Sequence, residues 1–444
     1  APDKKGFLFT AHLFERNIYQ GANDNDSACV TLAEIARTLA RLVREGRVPR
    51  PERSIYFLMS EEGSGTMAFF GQYPEMADRI FGVVNMDMVG EDLEKSQAFF
   101  NIEMPTYNKM TFLEGVIRGF AEYVFRTNIE MYAHHVQSPW LTFPAPITDK
   151  NGSEQPFRYT MSPYVGGSDH GVFLSADADI PAFSFNVWPD FWYHTDRDRP
   201  DKSDPTQLKR VAFIGAASAL ASCLGTEEVL EKVIRVAFED RALFVQATLA
   251  RVREDLAAIG KADGGKACRT GLAMVEQAAE LSRAAILRIR DLTAGKPKSD
   301  AYLTGMLGGL EALKTASLEQ VKGYVRTAVA FNGYAADFGK ASPEETRLRA
   351  IVPVKVTPLK ISDSAPYTKI SEALSADRAL MMDIFQNYGY SYLLQLFFSA
   401  DGRTDLAKIR DRLGLEFKPI DAAAILKHAQ ALEKAGLIKL AIGH

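Results

Sequence analysis

Alternating strand and helix patterns in residues 1–225 constrain the fold of this chain more than any other feature. Short apolar runs suited to buried strands are separated by segments such as residues 26–44, whose apolar residues recur at helical spacing. Such alternation is typical of an α/β fold with a mostly parallel mixed sheet flanked by helices. The predicted strands are residues 6–12, 55–59, 81–87 and 182–187.

The rest of the chain is organised differently. Residues 226–345 carry an almost wholly helical pattern, and we expect a helical domain there. Residues 346–444 predict an extended linker followed by a small winged-helix-like module. Within the α/β domain, residues 92–165 hold one predicted helix inside a long stretch rich in Pro, Tyr and His, which favours a lid-like insertion.

Composition narrows the classes of function. The 444 residues carry a formal net charge of −4, which gives no sign of a nucleic-acid-binding surface. Basic residues in the C-terminal module more often serve packing or dimerisation, so we expect no nucleic-acid partner and leave a homodimer open. No apolar run approaches the roughly 20 residues of a membrane span, so no membrane partner is expected. The three cysteines are too widely spaced for a disulfide framework.

The adjacent carboxylates Glu61 and Glu62 follow the predicted strand 55–59 and precede Gly63. Open α/β sheets bind ligands at the carboxyl ends of their strands, and two like charges held together in a cleft need cations to offset them. The pair therefore indicates a general base beside a metal ligand. Considered alone, it is explained better as the acidic first turn of a helix, which the helix dipole favours.

Further metal-type ligands stand at the ends of predicted elements. Each has an ordinary explanation as a strand-end polar residue, a helix cap or a turn residue. Together they point to one site, because the carboxyl ends of parallel strands meet at one edge of a sheet. Imidazole and carboxylate ligands suit zinc, although cobalt or manganese could substitute. These candidates are His12, Asp24, Asp87 and His194, which join Glu62.

Short motifs around these residues occur in a specific order. They are Gly21-Ala-x-Asp24-Asn25-x-Ser27, Glu61-Glu62-Gly63, Asn85-Met-Asp87-Met-Val-Gly90, Ser168-Asp169-His170-x-x-Phe173 and Tyr193-His194-Thr195-x-x-Asp198. As a set, covering about residues 6–225, they resemble the zinc aminopeptidase and glutaminyl-cyclase superfamily, in particular its co-catalytic di-zinc aminopeptidases.

The resemblance implies a role for each position. Asp24 would bridge two zinc ions, the first also held by His12 and Asp87, the second by Glu62 and His194. Glu61 would be the general base that takes a proton from a metal-bound water, and Tyr193 would donate to the developing oxyanion. The substrate would be a peptide with a free N-terminus. Candidate substrate-binding residues are Asp169, His170 and Trp192, the last within an aromatic group that could form an apolar side-chain pocket.

Two departures from the resemblance matter. The superfamily normally has His-x-Asp at the first ligand, whereas this chain reads His12-Leu13-Phe14, with Glu15 the nearest acid. An orienting carboxylate usually strengthens a metal-bound histidine. Family members also have further elements before this histidine, so we expect the N-terminal part of the family fold to be absent. A periplasmic or secreted location is suggested by the resemblance only.

Other functions stay open at this point. A single-zinc glutaminyl cyclase would use Asp24, Glu62 and His194, and the altered His-x-Asp motif favours it. A catalytically inactive binding or assembly protein could also retain the fold. Against that, a binding protein has no chemical need for the base Glu61. The sequence therefore favours a metal-dependent aminopeptidase that hydrolyses the N-terminal residues of peptides.

Overall fold

The computed structural model describes residues 4–13, 20–135, 146–257, 264–332, 341–389 and 391–442. Its first part alternates strands and helices along the chain. In order they are β1 (Gly6–His12), α1 (Ser27–Arg44), β2 (Ile55–Ser60), α2 (Ser64–Gln72), β3 (Ile80–Met86), β4 (Phe99–Glu103), α3 (Leu113–His135), β5 (Tyr159–Ser162), α4 (His170–Ser175), β6 (Ala182–Trp188) and α5 (Pro205–Leu224).

The strands form a mixed sheet in the order β2-β1-β3-β6-β4-β5. The strands β1, β2, β3 and β6 are parallel neighbours, whereas β4 runs antiparallel to β6 and parallel to β5. The predicted α/β fold class is confirmed. The carboxyl ends of the four parallel strands therefore reach the same edge of the sheet.

The central strand β1 shows why these residues form a buried sheet. Every residue of Gly6–His12 is buried, with Phe7 and Phe9 on one face and Leu8 on the other. Alternate side chains enter opposite layers because successive strand residues point to opposite faces. The helix α1 buries Leu32 and Ile35 in the layer that also contains Phe7. The nearly continuous apolar sequence of β1 is therefore explained by burial on both faces of the strand.

The region predicted as a lid-like insertion, residues 92–165, is not a lid where the structure describes it. It contributes β4 and β5 to the main sheet, and its helix α3 is longer than predicted. Phe100 and Ile102 of β4 are buried in the core. The two strands have only five and four residues, and they lie in a stretch rich in Pro, Tyr and His that was interpreted as a loop or lid. Residues 136–145 lie outside the described residues.

The second part of the chain is mainly helical. Its elements are α6 (Glu227–Ala257), α7 (Gly264–Leu287), α8 (Arg290–Thr293), α9 (Pro297–Asn332), α10 (Pro343–Arg349), β7 (Ile351–Lys355), α11 (Ala365–Ala376), α12 (Arg378–Asn387), α13 (Ser391–Phe398), α14 (Leu406–Glu416), α15 (Ala422–Lys434) and β8 (Ile438–Ile442). The strands β7 and β8 form a separate antiparallel pair. The winged-helix interpretation of this end of the chain stays a prediction.

The apolar cores follow this division only in part. One buried cluster runs from the sheet into α6, α7 and α9, joining Phe9 to Val275 and Leu310 without interruption. A second cluster lies within residues 348–438. The predicted boundary near residue 226 is therefore not marked by a gap in the core, and the domain limits stay a prediction.

A helix that spans a bilayer must be both long and apolar, and the described helices differ in these two properties. No single one is long and apolar enough to span a membrane; α5 and α6 pass only as a pair bent by 119°.

Candidate metal and peptidase site

Three strand ends deliver acidic or imidazole side chains to one edge of the sheet. His12 is the last residue of β1 and pairs with Ser60 of β2, just before Glu61 and Glu62. Asp87 directly follows β3, which is the other neighbour of β1. The parallel pairing of adjacent strands therefore places these groups side by side, as expected at the carboxyl edge of an open α/β sheet.

Asp24 reaches the same place from the turn that precedes α1. Both carboxylate oxygens of Asp198 hold this turn, accepting hydrogen bonds from the backbone N–H groups of Asn23 at 2.7 Å and Asp24 at 3.0 Å. Asn25 links it to the end of β3, because its side chain donates to the Met86 carbonyl at 3.1 Å and accepts from Met88 N–H at 3.0 Å. The position of Asp24 relative to Asp87 is thus set by hydrogen bonds to the backbone.

The resulting cluster has the arrangement of a metal centre. The Nε2 atom of His12 lies 3.3 Å from Asp24 Oδ1 and 3.3 Å from Asp87 Oδ1. One ligand atom from each of these three buried residues lies close enough to the others to hold a metal ion. The second oxygen of Asp24, Oδ2, lies 3.2 Å from His194 Nε2. Asp24 therefore presents its two oxygens to two different histidines, which suits a carboxylate that bridges two ions.

The electrostatics of the cluster favour a cation. Burial alone would lower the pKa of His12, but hydrogen bonds and negative charge from Asp24 and Asp87 outweigh burial and raise that pKa to about 11. The two carboxylates thus stabilise positive charge at the imidazole, either a proton or a metal ion in its place. The nitrogen and oxygen donors fit zinc among the common protein-bound metals.

A cavity of about 380 Å³ opens beside this cluster. Its floor is polar: Ser184 and Asn186 from β6 and Asn101 and Glu103 from β4 line it, each pair two residues apart and so on one face of the sheet. Glu62 lines the same cavity with His12, Asp24 and Asp87. This brings four of the five predicted ligands to one cavity, and His194 lies against Asp24.

The aromatic residues after β6 are divided between the cavity and the surface. Trp188 and Tyr193 line the cavity and their rings meet edge to face at 5.5 Å. Trp192 is not among the lining residues; the Lys202 ammonium lies 5.2 Å from the centre of its ring. Phe191 is 64% exposed. Trp192 therefore does not join Trp188 and Tyr193 in lining this cavity, and a pocket around it stays a prediction.

Glu61 lies next to the cavity in the chain but has a different environment from Glu62. Its side chain is exposed and accepts a hydrogen bond from the Ser64 hydroxyl at 2.7 Å. The structure does not place Glu61 among the residues that line the metal cavity. The two adjacent carboxylates therefore differ in burial, and only Glu62 lines the cavity. Their roles stay predictions.

Asp169 and His170 take different positions. Asp169 is buried and accepts a hydrogen bond at 3.0 Å from Gly63 N–H, so it supports the turn that carries Glu62 and does not line the cavity. Burial raises its pKa. His170 lines the cavity, and its Nε2 lies 2.7 Å from Glu103 Oε1. Of the two residues predicted to line the cleft, His170 lines the cavity, whereas Asp169 supports the neighbouring turn.

Sequence reasoning missed two groups at this site. Asn101 and Glu103 stand in a segment interpreted as a loop, although the alternation Phe99-Phe100-Asn101-Ile102-Glu103 was a recognisable strand signal. Glu91 and Asp190 lie behind the Asp24 turn, where Asp190 accepts hydrogen bonds from the Asn23 side chain at 3.0 Å and from Trp192 N–H at 2.6 Å. Single acids in loops carry no pattern that reveals such contacts. Glu15 lies outside the described residues, so its relation to His12 stays open.

The fold and the ligand cluster together define an α/β protein of the metallopeptidase type. Residues 1–219 match peptidase family M28. The superfamily predicted from the motifs is therefore confirmed. Among curated proteins, none matches the chain significantly.

Solved structures with a similar arrangement include two aminopeptidases and a cyclase. A zinc aminopeptidase from Bacillus subtilis is 19% identical, covering 50% of this chain and 46% of its own, with a TM-score of 0.34. An aminopeptidase from Aneurinibacillus sp. strain AM-1 is 20% identical over 50% of this chain and 44% of its own, with a TM-score of 0.34. The glutaminyl cyclase of Porphyromonas gingivalis is 18% identical over 49% and 72%, with a TM-score of 0.32.

Each match to an aminopeptidase covers only part of this chain and only part of the aminopeptidase. This chain spans less than half of the length of either one, at 46% and 44%. Because the TM-scores are below 0.5, these likenesses add nothing to the argument from the family match and the site.

Proposed function

We propose that this protein is a metal-dependent aminopeptidase that uses two zinc ions. The observation that carries the proposal is the position of Asp24, whose Oδ1 faces His12 Nε2 at 3.3 Å and whose Oδ2 faces His194 Nε2 at 3.2 Å. A ligand for a single ion would not need both oxygens directed at separate imidazoles. Asp87 and Glu62 complete the two ligand sets, the first with His12 and the second with His194.

Each side chain has a distinct task in the proposed reaction. Zinc held by His12, Asp24, Asp87, Glu62 and His194 would supply Lewis-acid chemistry, which lowers the pKa of a bound water and polarises a peptide carbonyl. Glu61, which lies next to the metal cavity in the chain, would act as the general base, taking a proton from the attacking water and passing it to the leaving amine. Tyr193, at the wall of the cavity, donates its hydroxyl proton in a hydrogen bond to the oxygen that gains negative charge. The substrate is a peptide whose free N-terminal residue occupies the cavity.

The polar floor suits recognition of a free amino terminus. Asn101 Oδ1 is buried and has no hydrogen-bond partner among the described residues, so it can accept a hydrogen bond from a substrate ammonium group. Glu103, two residues further along β4, brings negative charge to the same floor. A substrate with a blocked N-terminus offers no ammonium group to Asn101 Oδ1, and an unpaired acceptor is unfavourable in a buried site.

The test combines metal content with turnover. Zinc-loaded protein should contain about two ions per chain, as expected for a co-catalytic site, and hydrolyse aminoacyl-anilides but not their N-acetylated forms. Glu61→Gln should keep the metal and lose about 100-fold to 10,000-fold in turnover, the usual contribution of a general base. Glu75→Gln is a matched control, because Glu75 is exposed and lies just after α2.

Other results would replace the proposal. Equal hydrolysis of acetylated substrates would exclude an aminopeptidase. One zinc per chain together with cyclisation of N-terminal glutamine would establish a glutaminyl cyclase. Protein without metal and without hydrolysis would favour a binding role.

A further inference from the structure

A second cavity, of about 320 Å³, lies beside the metal cavity. Both are lined by Glu62 and by the segment Val165–Ser168, so the two spaces share an edge and a wall. Since Glu62 is a proposed metal ligand, a peptide held in the metal cavity would have this second cavity beside it.

The wall between the cavities is thin and firmly held. Gly166 and Gly167 have φ values of +89° and +101°, a conformation that glycine adopts without strain. Glu103 Oε1 accepts hydrogen bonds from the backbone N–H groups of Val165 and Gly166, both at 2.7 Å. Asn85 donates to the Ser168 hydroxyl at 2.7 Å. The same glutamate therefore serves the floor of one cavity and the wall of the other.

The far side of the second cavity is supplied by the C-terminal part of the chain. Ile361, Asp363, Ser364 and Leu394 line it opposite the glycine wall. Ile361 and Leu394 are apolar, as are Met67 and Val172 on the peptidase side. A cavity with this lining favours an apolar side chain, because burying apolar surface is the main source of affinity in such sites.

The C-terminal segment is fixed to the peptidase domain, so its position at the cavity is defined. Ile361 is 4% exposed and packs in the same buried cluster as Phe70 and Phe173 of the peptidase domain. Asp177 accepts hydrogen bonds from Leu359 N–H at 2.7 Å and from the Lys355 ammonium at 2.6 Å. In return, Asp177 N–H donates to the Leu359 carbonyl at 3.0 Å.

We propose that this second cavity binds the side chain of the second residue of the peptide substrate, and that it prefers a large apolar one. The C-terminal segment thereby sets specificity on the leaving-group side of the scissile bond. The inference rests on the proposed aminopeptidase function and adds to it the class of peptide that is cleaved. The first residue would lie in the metal cavity, and the second would extend past Glu62 between the glycine wall and Leu394.

The experiment compares two substrates with the same first residue, Leu-Phe-amide and Leu-Gly-amide, by release of leucine. The zinc-loaded wild type should show a ratio of kcat/KM of about tenfold or more in favour of the phenylalanine peptide, as expected for filling an apolar pocket. Ser364→Trp should bring the ratio close to one by filling the cavity from an exposed position. Val172→Phe narrows the same cavity from α4 and should also lower the ratio.

Ser375→Trp is the matched control, because Ser375 is exposed on α11, the helix that begins just after Ser364, and does not line the cavity. Its ratio should equal that of the wild type. A wild-type ratio near one, or a ratio that both cavity variants leave intact, would overturn this inference while leaving the aminopeptidase proposal in place. Release of leucine from neither substrate by the zinc-loaded wild type would overturn the proposed function, and this inference with it.

Discussion

The two halves of the ligand cluster differ in how the chain holds them. His12 and Asp87 stand at the ends of neighbouring strands, and their side chains are only 1% and 13% exposed. His194 lies in a loop, with a side chain that is 29% exposed, and Glu62 is half-buried in a turn. Asp24, with 5% side-chain exposure, joins the two halves. The sheet therefore holds the half that contains His12 and Asp87 in place. The position of the half that contains His194 and Glu62 depends on loops and on the residues that support them.

The largest effect should come from removing the group that the halves share. Asp24→Asn keeps the shape of the side chain but removes the charge that faces both histidines. We expect loss of both ions and a fall in aminopeptidase turnover of at least about 1,000-fold, because the metal-activated water is lost. Metal analysis and anilide hydrolysis measure the two effects. Asp26→Asn, at an exposed position of the same turn, should leave both unchanged. Retention of two ions by Asp24→Asn would show that Asp24 does not bridge.

A smaller effect should separate the two halves. In His194→Gln the remaining ion would be held by the buried half, and in His12→Gln by the more exposed half. A chelator should remove metal from the His12→Gln protein about tenfold faster, since exposed and loosely supported ligands release metal more readily. Stopped-flow mixing with a chromogenic chelator measures both rates. Equal rates of metal removal from the two variants would mean that the strand-held half does not retain metal better than the loop half.

A third effect, on stability and not on metal binding, concerns the support of the loop half. Burial, and then the charge of Asp190, raise the pKa of Glu91 to about 9. Because the folded protein binds this proton more tightly than the unfolded chain, stability is fully present below the unfolded pKa near 4.5 and falls as pH rises toward 9. The slope should be about 1 kcal/mol per pH unit. Glu91→Gln, which cannot ionise, should lack this slope in the free energy of unfolding between pH 5 and pH 8. If the free energy of unfolding of the variant fell as steeply with pH as that of the wild type, a group other than Glu91 would be responsible for the slope.

Much of the fold was predictable from local patterns. The helix over residues 26–44 and the strands at 6–12 and 55–59 agree with α1, β1 and β2 within a residue, because they bury long apolar runs or stripes. The strands β4 and β5 were missed because they are short and half-polar.

The site was predictable to a similar degree. Strand-end residues such as His12 and Asp87 could be placed together, since parallel strands end at a common edge. Asp169 and Trp192 could not be placed, because their side chains depend on turns whose direction follows from contacts elsewhere in the chain. Glu103 was overlooked because its strand, β4, was not predicted, although its carboxylate contacts both the glycine wall and His170.

The sequence by itself determined the α/β order, the set of ligand types and their order along the chain, because these depend on periodicity and on motifs within a few residues. Only the tertiary structure decided that Asp24 turns one oxygen toward His12 and the other toward His194, and that Ile361 and Leu394 stand beside the same opening. Such placements arise from contacts between segments up to hundreds of residues apart. No local pattern carries that information, since burial and hydrogen bonding at these positions exist only once the chain is folded.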